Sequence, residues 1–291
     1  MRSERDGATI AAALAAAIGR LRLRGDEARY DATLLLAAAL ERDPAWLLAH
    51  ADDRLDAPSA ERFAASVLRR ERGEPVPYIL GSAGFYGRLF AVDASVLVPR
   101  PETEAVVAAA LAHMRQSRAA SARLCDVGTG SGIIAITLAC ELPRAHVTAI
   151  DVSPEALATA RVNARRHDVA SRVAFVLGDG LRAAGEERFV CIVANLPYVR
   201  SADVAAAPDP TSFEPRLALD GGPDGLALYR RLLRDAPARL EPGGALIMEA
   251  GPDTVPPLVA EAVAAFPPAE SVRVERDFAG LERLVIVRVR A

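Results

Sequence analysis

The residues Asn195-Leu196-Pro197-Tyr198 carry the sharpest chemical pattern in the sequence. A carboxamide oxygen and a neighbouring backbone carbonyl can together accept both hydrogens of an –NH2 group, and a tyrosine ring can pack against a planar group. Fixed acceptors for the two N–H bonds aim the delocalised nitrogen lone pair at an electrophile. Methyl transfer from a sulfonium would then need mainly in-line positioning and exclusion of water. Taken alone, the tetrapeptide could equally be an Asn-Pro turn after a strand.

A glycine-rich loop forms the second pattern. Cys125-Asp126-Val127-Gly128-Thr129-Gly130-Ser131-Gly132 follows a predicted strand and opens a predicted helix. Glycines at such a place let the backbone approach a ligand beside a helix N-terminus. The spacing is G-x-G-x-G, whereas the dinucleotide fingerprint would need a glycine at Ile133. Hydride transfer with a nicotinamide cofactor is therefore disfavoured.

Acidic residues end the next two predicted strands. Asp151 lies about 20 residues beyond the glycines, where a carboxylate accepts hydrogen bonds from ribose hydroxyls. Gly178-Asp179-Gly180 follows the third strand, where an adenine could be placed, and Asp126 could orient a cationic amino-acid tail. Alternatively, Asp151 only caps a helix at Ser153-Pro154 and the Gly-Asp-Gly is a turn. Three strand ends that point at one crevice favour the ligand interpretation.

Strands and helices alternate in the second part of the chain and must position these residues. We predict strands at Arg123–Val127, His146–Ile150, Val173–Val176, Val190–Ala194, Ala245–Glu249, Ser271–Glu275 and Leu284–Val289, with helices near 132–141, 154–166, 224–235 and 253–265. This rhythm is typical of an α/β fold with a doubly wound, mostly parallel sheet. The connection before the last strand is too short for a crossover helix, so we expect the last strand to run antiparallel.

The residue pattern before residue 100 differs from the alternating strands and helices that follow it. Helical spacing and helix stop signals predict a helical domain over residues 1–74. Aromatic and β-branched residues punctuated by glycine, beginning with Tyr78-Ile79-Leu80, predict a β-hairpin linker over 75–99. Residues 100–291 form the predicted α/β domain.

Composition excludes several classes of protein. The 35 basic residues are all arginine, which excludes a Schiff-base lysine and a P-loop. With 38 acidic residues the net charge is −3, which argues against wrapping long nucleic acid. The three cysteines (Cys125, Cys140 and Cys191) and the four histidines have no metal-ligand spacing, so we expect no metal. No apolar run reaches the ~20 residues of a membrane span, and we expect a cytoplasmic protein.

At this point the sequence resembles a known family. The glycine loop, the acidic end of the second strand and the antiparallel last strand are similar to those of the class I S-adenosyl-L-methionine-dependent methyltransferases. More specifically, the chain resembles the release-factor glutamine methyltransferases. The resemblance is carried by 73–81, Phe85-Tyr86-Gly87, 98–104, Asp126–Gly132, Asn195–Tyr198, 213–219 and Gly222-Pro223-Asp224-Gly225.

The resemblance implies methylation of the side-chain nitrogen of the glutamine in the Gly-Gly-Gln motif of bacterial class 1 peptide chain release factors, which modulates translation termination. It further implies that S-adenosyl-L-methionine is contacted by Asp126, Gly128, Thr129, Gly130, Ser131, Gly132, Asp151, Asp179, Gly180 and Asn195. Asn195, the Leu196 carbonyl, Pro197 and Tyr198 would hold the glutamine. Pocket supports would come from Arg100–Glu104 and Phe213–Arg216, with Arg100, Glu102, Phe213 and Arg216 as the substrate-binding candidates, although helix entry and loop packing could explain each of them equally.

Leu196 departs from the family pattern, which has proline there, so the loop lacks the φ restraint of proline. The resemblance also suggests that the N-terminal helices dock the release factor. Three alternatives stay open: a glutamine methyltransferase acting on a ribosomal protein, an amino-group methyltransferase acting on nucleic acid, and a non-catalytic module that binds S-adenosyl-L-methionine or a partner. The Pro99-Arg100-Pro101-Glu102 sequence favours the release factor over the ribosomal protein.

Overall fold

The computed structural model describes residues 7–22, 27–117, 122–204, 210–266 and 269–290. The chain divides into two compact units. The first consists of Met1–Gly81 and Ala205–Phe213, and the second of Ser82–Val204 and Glu214–Ala291. The division at residue 81 differs from the predicted boundaries after residues 74 and 99, because the hairpin belongs to the second unit.

The described part of the first unit contains the α-helices α1 (Ile10–Leu21), α2 (Ala28–Leu40), α3 (Pro44–Ala49), α4 (Ala57–Glu71) and α5 (Val76–Leu80), together with a short 3-10 helix at Pro210–Phe213. Polar side chains cap two of these helices: Thr9 accepts from Ala12 N–H at the start of α1, and Asp56 accepts hydrogen bonds from the backbone and hydroxyl of Ser59 at the start of α4. A buried ion pair between Asp31 and Arg70, at 2.7 Å, joins α2 to α4. The helical prediction for this region is confirmed.

The strand texture predicted at Tyr78-Ile79-Leu80 is wrong, because these residues lie in α5. Pro77 stands in the first turn of this helix, where a proline is tolerated, and Gly81 ends it in the left-handed conformation. The hairpin itself is confirmed but shorter than predicted. Its strands are β1 (Ser82–Phe85) and β2 (Arg88–Ala91), paired antiparallel.

The second unit contains a seven-stranded sheet with the order β5-β4-β3-β6-β7-β9-β8. Its strands are β3 (Arg123–Val127), β4 (His146–Asp151), β5 (Val173–Leu177), β6 (Phe189–Ala194), β7 (Leu240–Glu249), β8 (Ala269–Arg276) and β9 (Glu282–Val289). Strands β3 to β7 pair in parallel, whereas β9 lies antiparallel between β7 and β8. The predicted doubly wound sheet with an antiparallel last strand is confirmed.

Helices cover both faces of this sheet: α6 (Glu104–Gln116), α7 (Ile133–Glu141), α8 (Pro154–Arg166), α9 (Ala227–Asp235) and α10 (Val255–Ala265). One hydrophobic core lies against α6, α7 and the hairpin, and another against α9 and α10. Strand β6 is buried along its whole length, as expected for a central strand covered on both faces. The carboxyl ends of β3, β4, β5 and β6 therefore meet at one rigid edge. Among the described residues, no helix combines the length and apolarity needed to cross a membrane.

Candidate active site

A cavity of about 810 Å³ lies within the second unit, at the carboxyl edge of the parallel strands. This volume is typical of small-molecule sites. The predicted residues that line it are Arg100, Gly128, Thr129, Gly130, Ser131, Asp151, Asp179, Gly180, Asn195, Leu196 and Pro197. The structure therefore brings together the ends of β3, β4, β5 and β6 as the sequence predicted. Asp126, Gly132, Tyr198, Glu102 and Arg216 are not among the lining residues.

The glycine loop is shaped by two close approaches. Gly128 has φ +76°, and a Cβ added there would lie 2.8 Å from Leu196 Cδ2. Gly132 has φ +83°, and its Cβ would lie 2.7 Å from Ile136 Cδ1 and 3.1 Å from the Ala160 side chain. Gly132 is thus needed for the packing of α7 against α8, whereas its predicted contact with the ligand stays a prediction.

Asp151 supports this loop from the end of β4. Its carboxylate accepts hydrogen bonds from the backbone N–H of Gly130 at 2.8 Å and of Ser153 at 2.9 Å. Helix α8 is capped by the Ser153 hydroxyl, which accepts a hydrogen bond from Ala156 N–H. The alternative interpretation of Asp151 as the helix cap is therefore not needed, because Ser153 provides the cap. Each carboxylate oxygen of Asp151 keeps a further lone pair for a ligand hydroxyl.

Asp126 lies beneath the loop, where it is fully buried. One of its oxygens accepts hydrogen bonds from the Thr129 hydroxyl at 2.7 Å and from Ala135 N–H at 3.1 Å, in the first turn of α7. Burial raises the pKa of Asp126 to about 7, although these hydrogen bonds limit the rise. These hydrogen bonds fasten the loop to the helix, and Asp126 lies outside the cavity lining, so its contact with the cofactor tail stays a prediction.

Asp179 and Gly180 lie at the far end of the cavity, after β5. The Asp179 carboxylate is exposed and forms an ion pair with Arg231, which also lines the cavity. An aspartate at this place could accept hydrogen bonds from an amino group of a base, as the sequence suggested.

The Asn195–Tyr198 segment is held on several sides. The Asn195 side-chain nitrogen donates a hydrogen bond to Thr103 Oγ1 at 3.0 Å, which leaves the carboxamide oxygen for another donor. The Leu196 carbonyl accepts from the buried Tyr229 hydroxyl at 3.0 Å, and a carbonyl oxygen has a second lone pair. The Tyr229 hydroxyl also contacts the Glu249 carbonyl and so joins this segment to the end of β7.

Tyr198 does not line the cavity, and its contact with the substrate stays a prediction. Its ring lies beside Gly251, where an added Cβ would come within 3.3 Å of it. Burial raises the pKa of Tyr198 to about 12, and the nearby Glu249 adds to the rise. The ring stays a neutral packing surface that fixes the segment after Pro197.

The four predicted pocket supports have different surroundings. Arg100 pairs with the buried Glu214 at 2.6 Å, and Glu214 also accepts from Val98 N–H, so that this pair fixes a wall of the cavity. Glu102 lies 3.9 Å from Arg283, and the exposed Arg216 pairs with Asp220 at 2.9 Å. Each of these two residues is turned to a partner outside the lining, and its role as a pocket support stays a prediction. Phe213 ends the segment that belongs to the first unit.

Sequence reasoning missed three polar residues, Tyr229, Glu249 and Asn163, and named Thr103 only as one of the pocket supports in Arg100–Glu104. Thr103, Tyr229 and Glu249 are buried around Asn195 and Leu196, and they come from distant parts of the chain. Asn163 is fully buried and uses its carboxamide to bind both backbone groups of Ala91 and the carbonyl of Ser131. In the predicted helix over 154–166, Asn163 lies three residues after Ala160 on a face of small residues, and a polar residue on that face was the signal that could have found it.

Comparison with known proteins agrees with this architecture. Residues 106–208 match the methyltransferase small domain family. A solved methyltransferase from Pyrococcus furiosus superposes with a TM-score of 0.51 at 17% identity, over 78% of this chain and 98% of that one, which supports the fold. Together with the glycine loop and the strand order, these matches define a class I methyltransferase, whose cofactor is S-adenosyl-L-methionine.

Similarity to known proteins identifies the family within this class of methyltransferases. Residues 12–81 match the PrmC N-terminal domain family. The chain is 46% identical over 241 residues to the release factor glutamine methyltransferase of Cereibacter sphaeroides, covering 82% of this chain and 84% of that one. It is 41% identical over 278 residues to the release factor glutamine methyltransferase of Moorella thermoacetica, covering 94% and 96%. The chain belongs to the release factor glutamine methyltransferase family.

Proposed function

We propose that the protein transfers a methyl group from S-adenosyl-L-methionine to the side-chain amide nitrogen of the glutamine in the Gly-Gly-Gln motif of bacterial class 1 peptide chain release factors. The proposal places this reaction in the cytoplasm, where it modulates translation termination. The observation that carries it is the placement of Asn195 in the wall of the cavity, with its side-chain nitrogen bound to Thr103 and its oxygen left to accept.

The lining residues fit the cofactor. Gly130 lies at the cavity with φ +55°, and a Cβ added there would meet nothing within 4 Å, so the backbone leaves open space beside the start of α7. Asp151 would accept from the ribose hydroxyls with its remaining lone pairs, and Asp179 would accept from the adenine amino group. The roles of these residues are part of the proposal. Bound S-adenosyl-L-methionine supplies an electrophilic methyl group.

The amide nitrogen of the substrate glutamine is a poor nucleophile, and residues of this chain would orient it for the reaction. The Asn195 oxygen and the Leu196 carbonyl would accept the two N–H bonds of the substrate glutamine, and Pro197 would exclude water beside them. This arrangement fixes the plane of the amide and aims the nitrogen lone pair along the line of transfer. Methylation makes the nitrogen cationic, and it becomes neutral when one of these protons passes to solvent water.

A direct assay tests the proposal. Labelled S-adenosyl-L-methionine is incubated with the enzyme and a purified class 1 release factor, and in parallel with a copy of the factor in which the motif glutamine is alanine. We expect label on the first and none on the second. Equal labelling of both would contradict the target residue. Absence of label on both, with label on ribosomes or RNA, would favour the ribosomal-protein or nucleic-acid alternative.

We propose further that the first unit docks the release factor. Leu48, at the end of α3, is 83% exposed and offers an apolar contact for a protein partner. Leu48→Glu should raise the KM for the intact factor severalfold and leave cofactor affinity unchanged. The matched control is Val263→Glu, a 56% exposed apolar residue of α10, which should leave both unchanged. An unaltered KM in Leu48→Glu would argue against this docking surface.

A further inference from the structure

A buried carboxyl group lies next to the reactive segment, and the mechanism above does not use it. Glu249 ends β7 and is fully buried. Because β6 and β7 pair in parallel with Ala194 opposite Met248, Asn195 and Glu249 occupy neighbouring strand ends. Within the described ranges, neither carboxyl oxygen of Glu249 makes a hydrogen bond of regular geometry. A buried acid without such a bond needs a physical explanation, because its desolvation is costly.

Thr103 connects this carboxyl to Asn195. The Thr103 hydroxyl accepts a hydrogen bond from the Asn195 side-chain nitrogen, so its own hydrogen must go to another acceptor. Thr103 is only 1% exposed, which makes bulk water a poor acceptor. Glu249 is its neighbour: the Thr103 hydroxyl lowers the pKa of this carboxyl as a hydrogen-bond donor does.

We propose that Thr103 and Glu249 are positioning residues that fix which end of the Asn195 carboxamide faces the substrate. The inference rests on the proposed function and deepens it. Asn195 N–H donates to Thr103, and Thr103 O–H donates to the ionised Glu249. This direction of donation keeps the Asn195 oxygen, the acceptor that the substrate –NH2 needs, on the side of the cavity.

Protonation of Glu249 permits the opposite direction. A neutral Glu249 donates to Thr103 Oγ1, and the Thr103 hydroxyl can then donate to the oxygen of a rotated Asn195. The Asn195 –NH2 group would then face the substrate –NH2 group, so that two donors meet and neither finds an acceptor. The ionised form of Glu249 therefore supports turnover and the neutral form opposes it.

The groups around Glu249 set the pH at which this change occurs. Burial is the main reason that its pKa lies at about 7; Thr103 and Arg283 act to lower this pKa, whereas Glu102 and Asp277 act to raise it. Tyr198 and Tyr229 face it from the segment after β6 and from α9, and each has its own pKa raised by burial and by Glu249. Both tyrosines stay neutral near pH 7. The kcat of the wild-type enzyme should therefore rise as the pH increases through about 7.

The test compares Thr103→Val, Thr103→Ser and Glu249→Gln, with kcat and KM for the release factor measured on both sides of pH 7. Thr103→Val should lower kcat by about 10- to 100-fold and abolish the pH step, because the carboxamide loses its fixed direction. Thr103→Ser should restore both. Glu249→Gln should lack the pH step, since an amide does not titrate. Calorimetric affinity for S-adenosyl-L-methionine should stay unchanged in all three.

A matched control is available in α7. Thr137 is fully buried, and its hydroxyl has no hydrogen-bond partner in the described part of the chain, so Thr137→Val makes the same change away from the site. It should keep the wild-type kcat and pH step. If Thr103→Val fails to fold, the profiles of Thr103→Ser and Glu249→Gln decide the matter.

Three results would overturn the inference: a wild-type profile without a pH step, a wild-type kcat in Thr103→Val, or a pH step that survives in Glu249→Gln. A surviving step would come from another group, such as the buried Asp126. Failure of the proposed function looks different, because the wild-type enzyme would then not methylate the release factor at any pH.

Discussion

Asn195→Ala separates the catalytic role of this residue from its role in folding. The half-buried side chain makes one hydrogen bond, to Thr103, so its removal should lower the free energy of unfolding by only about 0.5–1.5 kcal/mol. The same change removes the acceptor that aims the substrate nitrogen. Loss of one preorganised hydrogen-bonding group in an active site costs about 2.7–4 kcal/mol of transition-state stabilisation, which is about 100- to 1000-fold in kcat.

The assay measures single-turnover methylation of the release factor with saturating cofactor, together with chemical denaturation of the same preparation. The only other asparagine, Asn163, gives a matched contrast. It is fully buried with three hydrogen bonds, so Asn163→Ala should lower the free energy of unfolding by roughly 3 kcal/mol and impair turnover less. Asn195→Ala with near-normal turnover would refute the orienting role.

Three further outcomes are expected. Asp151→Ala should weaken S-adenosyl-L-methionine binding by about 10-fold or more in calorimetry, since two or more hydrogen bonds depend on it; unchanged affinity would remove Asp151 from the site. Gly132→Ala should destabilise the fold by at least about 1–3 kcal/mol, because its Cβ would meet Ile136, and a melting temperature equal to that of the wild type would contradict this packing. Burial raises the pKa of Asp126 above its unfolded value to about 7, so its contribution to stability is complete below about pH 4 and is lost as the pH rises to 7. The stability of the wild type relative to Asp126→Asn should therefore fall by up to about 1.4 kcal/mol per pH unit across this window, and a flat difference would show that Asp126 ionises normally.

The general architecture could be predicted from the sequence because strands, helices and the glycine loop are local patterns. Gly128, Asp151, Asp179 and Asn195 lie at or just after the ends of four strands. Because these strands are parallel, their carboxyl ends lie at the same edge of the sheet. Tyr78 was assigned to a strand from residue type alone, whereas the proline in the first turn of α5 favours a helix start.

The details of the site depend on contacts that local patterns do not contain. Asp126 and Gly132 belong to the same motif as the lining residues, but the turn of the backbone directs them towards α7 and α8. Thr103 and Asn195 are 92 positions apart, so their hydrogen bond could not be read from spacing. A signal was present for Glu249: an acidic residue that ends an apolar strand is the same pattern that identified Asp151.

The central claim concerns a single nitrogen atom, and tandem mass spectrometry of the release factor after reaction tests it most directly. The experiment incubates the unmodified factor with the enzyme and S-adenosyl-L-methionine and then locates the added methyl group in the peptide that contains the Gly-Gly-Gln motif. We predict one methyl group on the side-chain amide nitrogen of that glutamine, formed about 100- to 1000-fold more slowly by Asn195→Ala. A methyl group on another residue, or equal modification by the variant, would contradict the account.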